Sequence, residues 1–407
     1  MNLRHILIAG VAAAGLIAVP AGAQTPAPKA ATAAAKAAPK AAAKVLAGPP
    51  ASVGGKTAAQ LAPGQTCAFV SPAHADASAT DAGASPNIAH DGKPLPGVAP
   101  PDISRGFQGI PRSAQPPLTA SQKRILECTY RLAEGGLDLP YTLFIPTKYD
   151  AAKPIALVVD LHGLNITPLQ QILFDGTTDY AEQYNYIVVA PMGLSLGGWW
   201  GSRQTNVPQG ASPQTNPKTN AAFTGQELAE LDAMTVISTV RQKYNIDNNR
   251  IYLMGHSMGG QGTYYLGGAH NDIWAGLAPL SGAGGLATPE AAARVKDIPI
   301  LIMHGEKDSI VGPDTSRRTA LNLQAAGGHF LYLQQPGADH EFWIRRGAKN
   351  MERVFMFFNT VSKTVNQGAV TADMLPPARG GGGGGRGGAA PAGGGRGGAP
   401  ASGGRGG

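Results

Sequence analysis

The apolar run Ile251-Tyr252-Leu253-Met254 breaks without a loop into Gly255-His256-Ser257-Met258-Gly259-Gly260. A strand that turns this sharply into a helix needs small residues two positions before and two after the serine, because larger side chains would collide where strand and helix pass. The turn lifts the Ser257 hydroxyl out of the sheet. It also sets the Met258 N–H at the start of a predicted helix over 259–268, where it can donate to a developing negative charge with help from the helix dipole. Ser257 is therefore the candidate nucleophile, and the motif requires a parallel sheet around it.

The rest of the chain supplies such a sheet. From Cys128 onward, apolar runs alternate with helical patterns, the signature of an α/β fold with a mostly parallel central sheet covered by helices on both faces. Segments 127–133 and 139–145 read as an antiparallel opening pair around the turn signal Gly135-Gly136. Further strands are predicted at 155–161, 186–190, 251–254, 276–280, 298–303 and 330–334. The segment 227–244 is an amphipathic helix carrying Leu228, Leu231, Met234, Ile237 and Val240 along one drifting face. Helices are also predicted at 314–326 and 348–361, with Leu321, Phe355 and Phe358 as packing residues and Trp274 in the core.

A serine hydroxyl is a weak nucleophile that needs a base, and the base needs an orienting acid. The strand Leu301-Ile302-Met303 opens into His304-Gly305-Glu306-Lys307-Asp308, which puts Asp308 at the carboxyl edge of the sheet, where open α/β sheets carry their chemistry. Glu306, two residues earlier on that loop, is its possible substitute. Farther on, Pro336-Gly337-Ala338-Asp339-His340 places His340 on the next loop at the same edge. The resulting order is Ser257, Asp308, His340. His256 is expected to hydrogen-bond locally and shape the elbow, and His304 to be structural. A second oxyanion donor should follow an earlier central strand, and Asp160-Leu161-His162-Gly163-Leu164 fits, with the Leu164 N–H turned inward. His162, Gly163 and His256 join the residues expected to line the substrate cleft. So do Trp199 and Trp200, in a glycine-rich loop after the strand ending at Ala190, unless one ring of the pair fills the core. Trp343, three residues after His340, could wall the same cleft. The polar stretch 203–220 is either a rim of that cleft or an idle insertion. There is no H-E-x-x-H and no Cys/His cluster, so neither a metal nor another cofactor is expected.

The two ends are too biased in composition to bury a core. Residues 1–23 carry Arg4 and His5, an apolar run over 6–19 and then Ala21-Gly22-Ala23, the pattern of a cleavable signal peptide. A retained anchor is the alternative reading. Residues 24–62 are Ala/Lys/Pro-rich and 364–407 become mostly glycine and arginine; both are expected to be disordered. Between them, 63–126 is a Pro-rich extension and 127–363 the folded domain. The formal charge of +7 belongs to the ends: without Arg4, Lys29, Lys36, Lys40, Lys44, Lys56, Arg379, Arg386, Arg396 and Arg405 the basic count falls from 33 to 23, against 26 acidic residues. A nucleic-acid groove in the body is not expected. The basic tails read as solvated segments that could adhere to anionic envelope polymers. Export to the periplasm or beyond would leave no membrane contact after signal cleavage, and in an oxidising compartment Cys67 and Cys128 could form one disulfide; free thiols are the other reading.

With strand, His-Gly loop, G-x-S-x-G elbow, Asp loop and His loop in order, residues 127–363 resemble the α/β-hydrolase superfamily. Tyr244-Asn245-Ile246-Asp247, Arg250-Ile251-Tyr252 and the elbow are similar to the secreted esterases related to feruloyl and acetylxylan esterases and poly(3-hydroxyalkanoate) depolymerases. The resemblance implies Ser257 as nucleophile, Asp308 and His340 completing the triad, and main-chain donors at Leu164 and Met258. It implies an exported serine carboxylic-ester hydrolase whose ester substrate is a small molecule or a polymer, aromatic (feruloyl-like) or polyester. Peptidase or acyltransferase action would use the same triad. A surface-binding protein on a retired scaffold would have no reason to keep all three residues in register.

Overall fold

In the computed structural model, which describes residues 64–71, 118–340, 344 and 348–364, the sheet begins with antiparallel pairing. Strand β1 (Thr66–Phe69) lies on β2 (Leu126–Leu132), which folds back as β3 (Leu137–Phe144). Gly136, in the left-handed region at φ 61°, makes the turn. Cys67 stands opposite Cys128 in the β1–β2 register, and the two are joined by a disulfide that closes a separation of 61 residues.

After β4 (Ile155–Leu161) come the short helices α1 (Pro168–Ile172) and α2 (Thr177–Tyr184), then β5 (Tyr186–Ala190). A small ribbon of β6 (Thr215–Asn216) and β7 (Ala221–Ala222) precedes the long helix α3 (Gly225–Lys243). Strand β8 (Ile246–His256) leads into α4 (Met258–Ala269), followed by β9 (Gly276–Leu280), α5 (Pro289–Ala293) and β10 (Ile300–Gly305). Helix α6 (Asp314–Ala325), β11 (Phe330–Gln335) and α7 (Ala348–Thr360) complete the fold. Capping boxes start α1 at Thr167/Gln170 and α3 at Thr224/Glu227, where each side chain satisfies a backbone N–H that the helix cannot.

The nine-stranded sheet runs β1-β2-β3-β5-β4-β8-β9-β10-β11. From β5 to β11 every pairing is parallel. All seven residues of β4 are buried, as both faces of a central strand must be when helices cover them. Odd positions of β4 (Leu157, Val159, Leu161) point into a core that holds residues of α3, α4 and α6. Even positions (Ala156, Val158) point into the second core, with α1, α2 and α7 and its buried Phe355 and Phe358. This is the α/β-hydrolase architecture that the order of elements implied. The elbow follows β8 at the middle of the parallel run.

Three expectations change in detail. Leu321 is not a packing residue: α6 turns Ser316, Thr319 and Leu323 inward, and Leu321, two positions before Leu323, faces out at 65 % exposure. Strand β8 starts five residues earlier than its apolar run, because Ile246 already pairs with Ile155 across a register shift, while residues 247–250 are polar and only half-buried. The stretch 203–220 is tied to the β2–β3 turn by Ser212 N–H to Gly135 O (2.9 Å) and Gln214 N–H to Glu134 O (2.8 Å). No helix of the described residues is long and apolar enough to cross a membrane. The expected signal, both compositionally biased ends, most of the Pro-rich extension and Trp343 lie outside the described residues.

Candidate active site

Ser257 sits between β8 and α4 with φ 58° and ψ −113°, a backbone conformation that a side chain adopts only when its surroundings impose it. Three hydrogen bonds do so: Ser257 N–H donates to Leu280 O (2.9 Å), and Ser257 O accepts from Ala283 N–H (2.8 Å) and Gln261 N–H (3.1 Å). The flanking glycines allow the approach. A Cβ on Gly259 would stand 1.9 Å from Leu161 O, and one on Gly255 would stand 2.5 Å from Gly259 O.

His340 Nε2 lies 2.9 Å from Ser257 Oγ, and His340 Nδ1 lies 2.7 Å from Asp308 Oδ2. Ser257, His340 and Asp308 thus form one unbroken hydrogen-bonded row, with the histidine and the aspartate buried. Of the two carboxylates on this loop, Asp308 is the one that meets His340. Glu306 is exposed, and its carboxylate accepts the Gly337 N–H at 2.7 Å, capping the turn before His340. Burial opposes charge on Asp308, but hydrogen bonds from His304, His340 and the Val311 N–H outweigh it and hold the carboxyl well below the usual range. It is a fixed anion beside the imidazole.

The loop after β4 lies against the elbow: a Cβ on Gly163 would be 3.5 Å from Ser257 Cβ and 3.4 Å from His256 O. Gly163 thus abuts the serine. The N–H groups of Leu164 and Met258 donate to no acceptor among the described residues. Met258 is the first residue of α4, where an N–H has no intrahelical partner.

Three residues expected to line the substrate cleft are buried among the described residues. His162 is fully buried, with the carbonyls of Gly163 and Met192 each 2.8 Å from a ring nitrogen, and burial lowers its pKa. His256 is also buried, and its Nε2 donates to the His340 carbonyl at 2.9 Å, holding the loop that carries His340. Trp200 is fully buried and packs edge-on against His162, with 4.8 Å between centroids. The reason is local backbone: Trp199, Trp200 and Gly201 are left-handed in succession (φ 53°, 59° and 85°), which turns one indole inward and leaves the other at the surface. Trp199 is half-buried, and the Arg203 guanidinium lies 3.8 Å from its ring centroid. Arg203 also donates to Ala283 O (3.1 Å), whose residue holds the Ser257 carbonyl, so the Trp199–Arg203 stack is linked to the backbone that holds Ser257.

Sequence reasoning missed Arg203 and two buried carboxylates. Asp232 on α3 receives the Tyr130 hydroxyl and the Leu194 N–H, which pins the start of the tryptophan loop; burial pushes its pKa up to about 6. Asp160, in the middle of the sheet, is pushed up to about 8 by burial. Asp160 is a carboxylate in an apolar strand, and that mismatch was the available signal; Asp232, close to Glu227 and Glu230 on an amphipathic helix, carried none. Among the described residues no group of three or more His, Cys, Asp or Glu is arranged to hold a metal.

A model of the Esterase family matches residues 136–342. Among curated proteins, the chain is 26 % identical over 178 residues to a bifunctional acetylxylan esterase/xylanase of Neocallimastix patriciarum, covering 44 % of this chain and 22 % of the relative. It is 26 % identical over 140 residues to feruloyl esterase B of Neurospora crassa, covering 34 % and 42 %. The chain therefore spans less than half the length of either curated relative. Among solved structures, a thermostable esterase is 27 % identical, with 57 % of this chain and 62 % of that one covered and a TM-score of 0.44.

Proposed function

The chain belongs to the Esterase family, whose model matches just over half of it, and from that premise we propose that it is an exported carboxylic-ester hydrolase working through an acyl-enzyme on Ser257. The observation that carries the reading is the hydrogen-bonded row from Ser257 Oγ through His340 to Asp308 Oδ2.

In this mechanism His340 Nε2 takes the hydroxyl proton as Ser257 Oγ attacks the ester carbonyl, and Asp308 balances the imidazolium through Nδ1. The tetrahedral oxyanion is received by the Leu164 and Met258 N–H groups, which are preorganised, so little reorganisation accompanies charge development. His340 returns the proton to the departing alcohol. It then activates a water that releases the acid. Removing one such main-chain donor is expected to cost about 3 kcal/mol of transition-state stabilisation.

Trp199 with Arg203 stacked on it supplies the aromatic surface for the acyl group, and the names of the relatives favour feruloyl or acetyl esters of a small molecule or polymer. Residues 127–363 are the catalytic domain, residues 1–23 direct export, and the Cys67–Cys128 disulfide suits an oxidising compartment. The lysines and arginines of the two ends would give them affinity for anionic polymers. The test is hydrolysis of p-nitrophenyl and methyl esters, short aliphatic through feruloyl, by the wild type and Ser257→Ala. Turnover lost in the variant supports the reading. A well-folded wild type that turns over peptides and no ester would replace it with a peptidase on the same site.

A further inference from the structure

Asp308 accepts three hydrogen bonds and has a fourth polar neighbour, the His304 ring. Oδ1 takes the N–H groups of Ile310 (3.0 Å) and Val311 (2.8 Å), the ordinary closure of a tight loop. Oδ2 is shared: His340 Nδ1 approaches at 2.7 Å and His304 Nε2 at 3.1 Å. His304 comes from the end of β10, with its ring fully buried. Its Nε2 also lies 2.8 Å from Val311 O, and its Nδ1 lies 2.7 Å from Ser316 Oγ on α6. A peptide carbonyl and a carboxylate can only accept, so Nε2 carries a proton; it donates to Val311 O, with Asp308 Oδ2 3.1 Å from the same nitrogen. The Ser316 hydroxyl locks the other edge of the ring.

We propose that His304 is a positioning residue for the base: its Nε2–H competes with His340 for Asp308 Oδ2 and so sets how strongly the carboxylate favours the protonated form of His340. The inference rests on the Ser257–His340–Asp308 reading above. An anion that shares its lone pairs with two donors attracts each proton less than one that serves a single donor. With His304 in place, Asp308 Oδ2 stabilises positive charge on the His340 ring less than it would alone. Two further titratable groups of the described residues stand near this row. They are His256, whose ring is 4.9 Å from that of His340, and the phenol of Tyr264 on α4, close to Ser316 and Thr319, which burial keeps protonated. Neither touches Asp308 Oδ2 among the contacts described.

The experiment is the pH profile of kcat/KM for p-nitrophenyl acetate with the wild type, His304→Phe and His304→Gln. His304→Phe removes the donor and keeps a ring; His304→Gln places an amide N–H near the Nε2 position. The midpoint of the acid limb is expected to move up by about one pH unit in His304→Phe and to return towards the wild-type value in His304→Gln. An unmoved limb in His304→Phe, or equal movement in both variants, would overturn the proposal. If His304→Phe does not fold, Ser316→Ala decides: it frees the ring without touching the row, and an upward displacement supports the role while an unchanged limb removes it. Ser257→Ala, assayed alongside, separates the two levels. Residual turnover there refutes the triad itself, whereas an inert Ser257→Ala with an unmoved His304→Phe limb refutes only the role of His304.

Discussion

Asp160→Asn should make the protein more stable at pH 8 and leave it nearly unchanged at pH 4. Asp160 lies on the fully buried β4, where its Oδ1 accepts Gln171 Nε2–H at 2.9 Å, while Asp160 Oδ2 and Gln171 Oε1 have no partner in the described structure. A protonated carboxyl carries no charge that burial would penalise, and burial raises its pKa from 3.8 to about 8. A raised folded-state pKa means that the native protein holds a proton the unfolded chain releases. The contribution is therefore complete below about pH 4 and is lost as pH rises towards 8. At 1.36 kcal/mol per unit the loss has a ceiling of about 6 kcal/mol across that window. Asparagine cannot ionise and can pair with Gln171 amide to amide. Urea denaturation of both proteins at pH 4, 5, 6, 7 and 8, followed by tryptophan fluorescence, isolates the effect, because every other titrating group cancels in the difference. The stability gap should widen in favour of Asp160→Asn by up to about 1.4 kcal/mol per pH unit. Parallel curves from pH 5 to 8 would refute the reasoning, since they would mean that Asp160 is already ionised in the native sheet.

The disulfide closes a separation of 61 residues, so replacing Cys67 and Cys128 together by serine should cost about 4 kcal/mol by loop entropy; equal melting temperatures for variant and wild type would contradict this. Asp308→Asn should keep the fold yet lower kcat about ten-thousand-fold, because the neutral amide no longer balances the imidazolium, and steady-state kinetics on p-nitrophenyl acetate check it. Trp199→Ala should reduce kcat/KM for a feruloyl ester about tenfold more than for an acetyl ester, a ratio that competition between the two substrates reads directly.

Much of this was legible because the determinants are short in sequence. Strands β5 and β9 are continuous apolar runs and β4 is one broken only by Asp160, and a run buried on both faces announces itself at the same bounds the structure gives. Ser257, Asp308 and His340 each follow a β-strand at one sheet edge, so their order along the chain sufficed to bring them together. The tryptophan pair was not legible in this way. A Gly-rich loop reads as exposed, and nothing in Gly197-Gly198-Trp199-Trp200-Gly201 indicates that three left-handed residues will send Trp200 into the core. The same holds for His162 and His256. A histidine beside a catalytic motif looks like a contact until carbonyl partners from Met192 and His340, distant in sequence, are seen to hold it. The choice between Asp308 and Glu306 turned on loop geometry two residues wide, below what spacing alone resolves.

The central claim is that Ser257 becomes acylated. Rapid acid quench of the wild type during turnover of a p-nitrophenyl ester, followed by peptide mass spectrometry, would measure it. The account predicts the acyl mass on the peptide containing Ser257 and its absence from Ser257→Ala. An acyl group on another residue, or full turnover by Ser257→Ala, would contradict it.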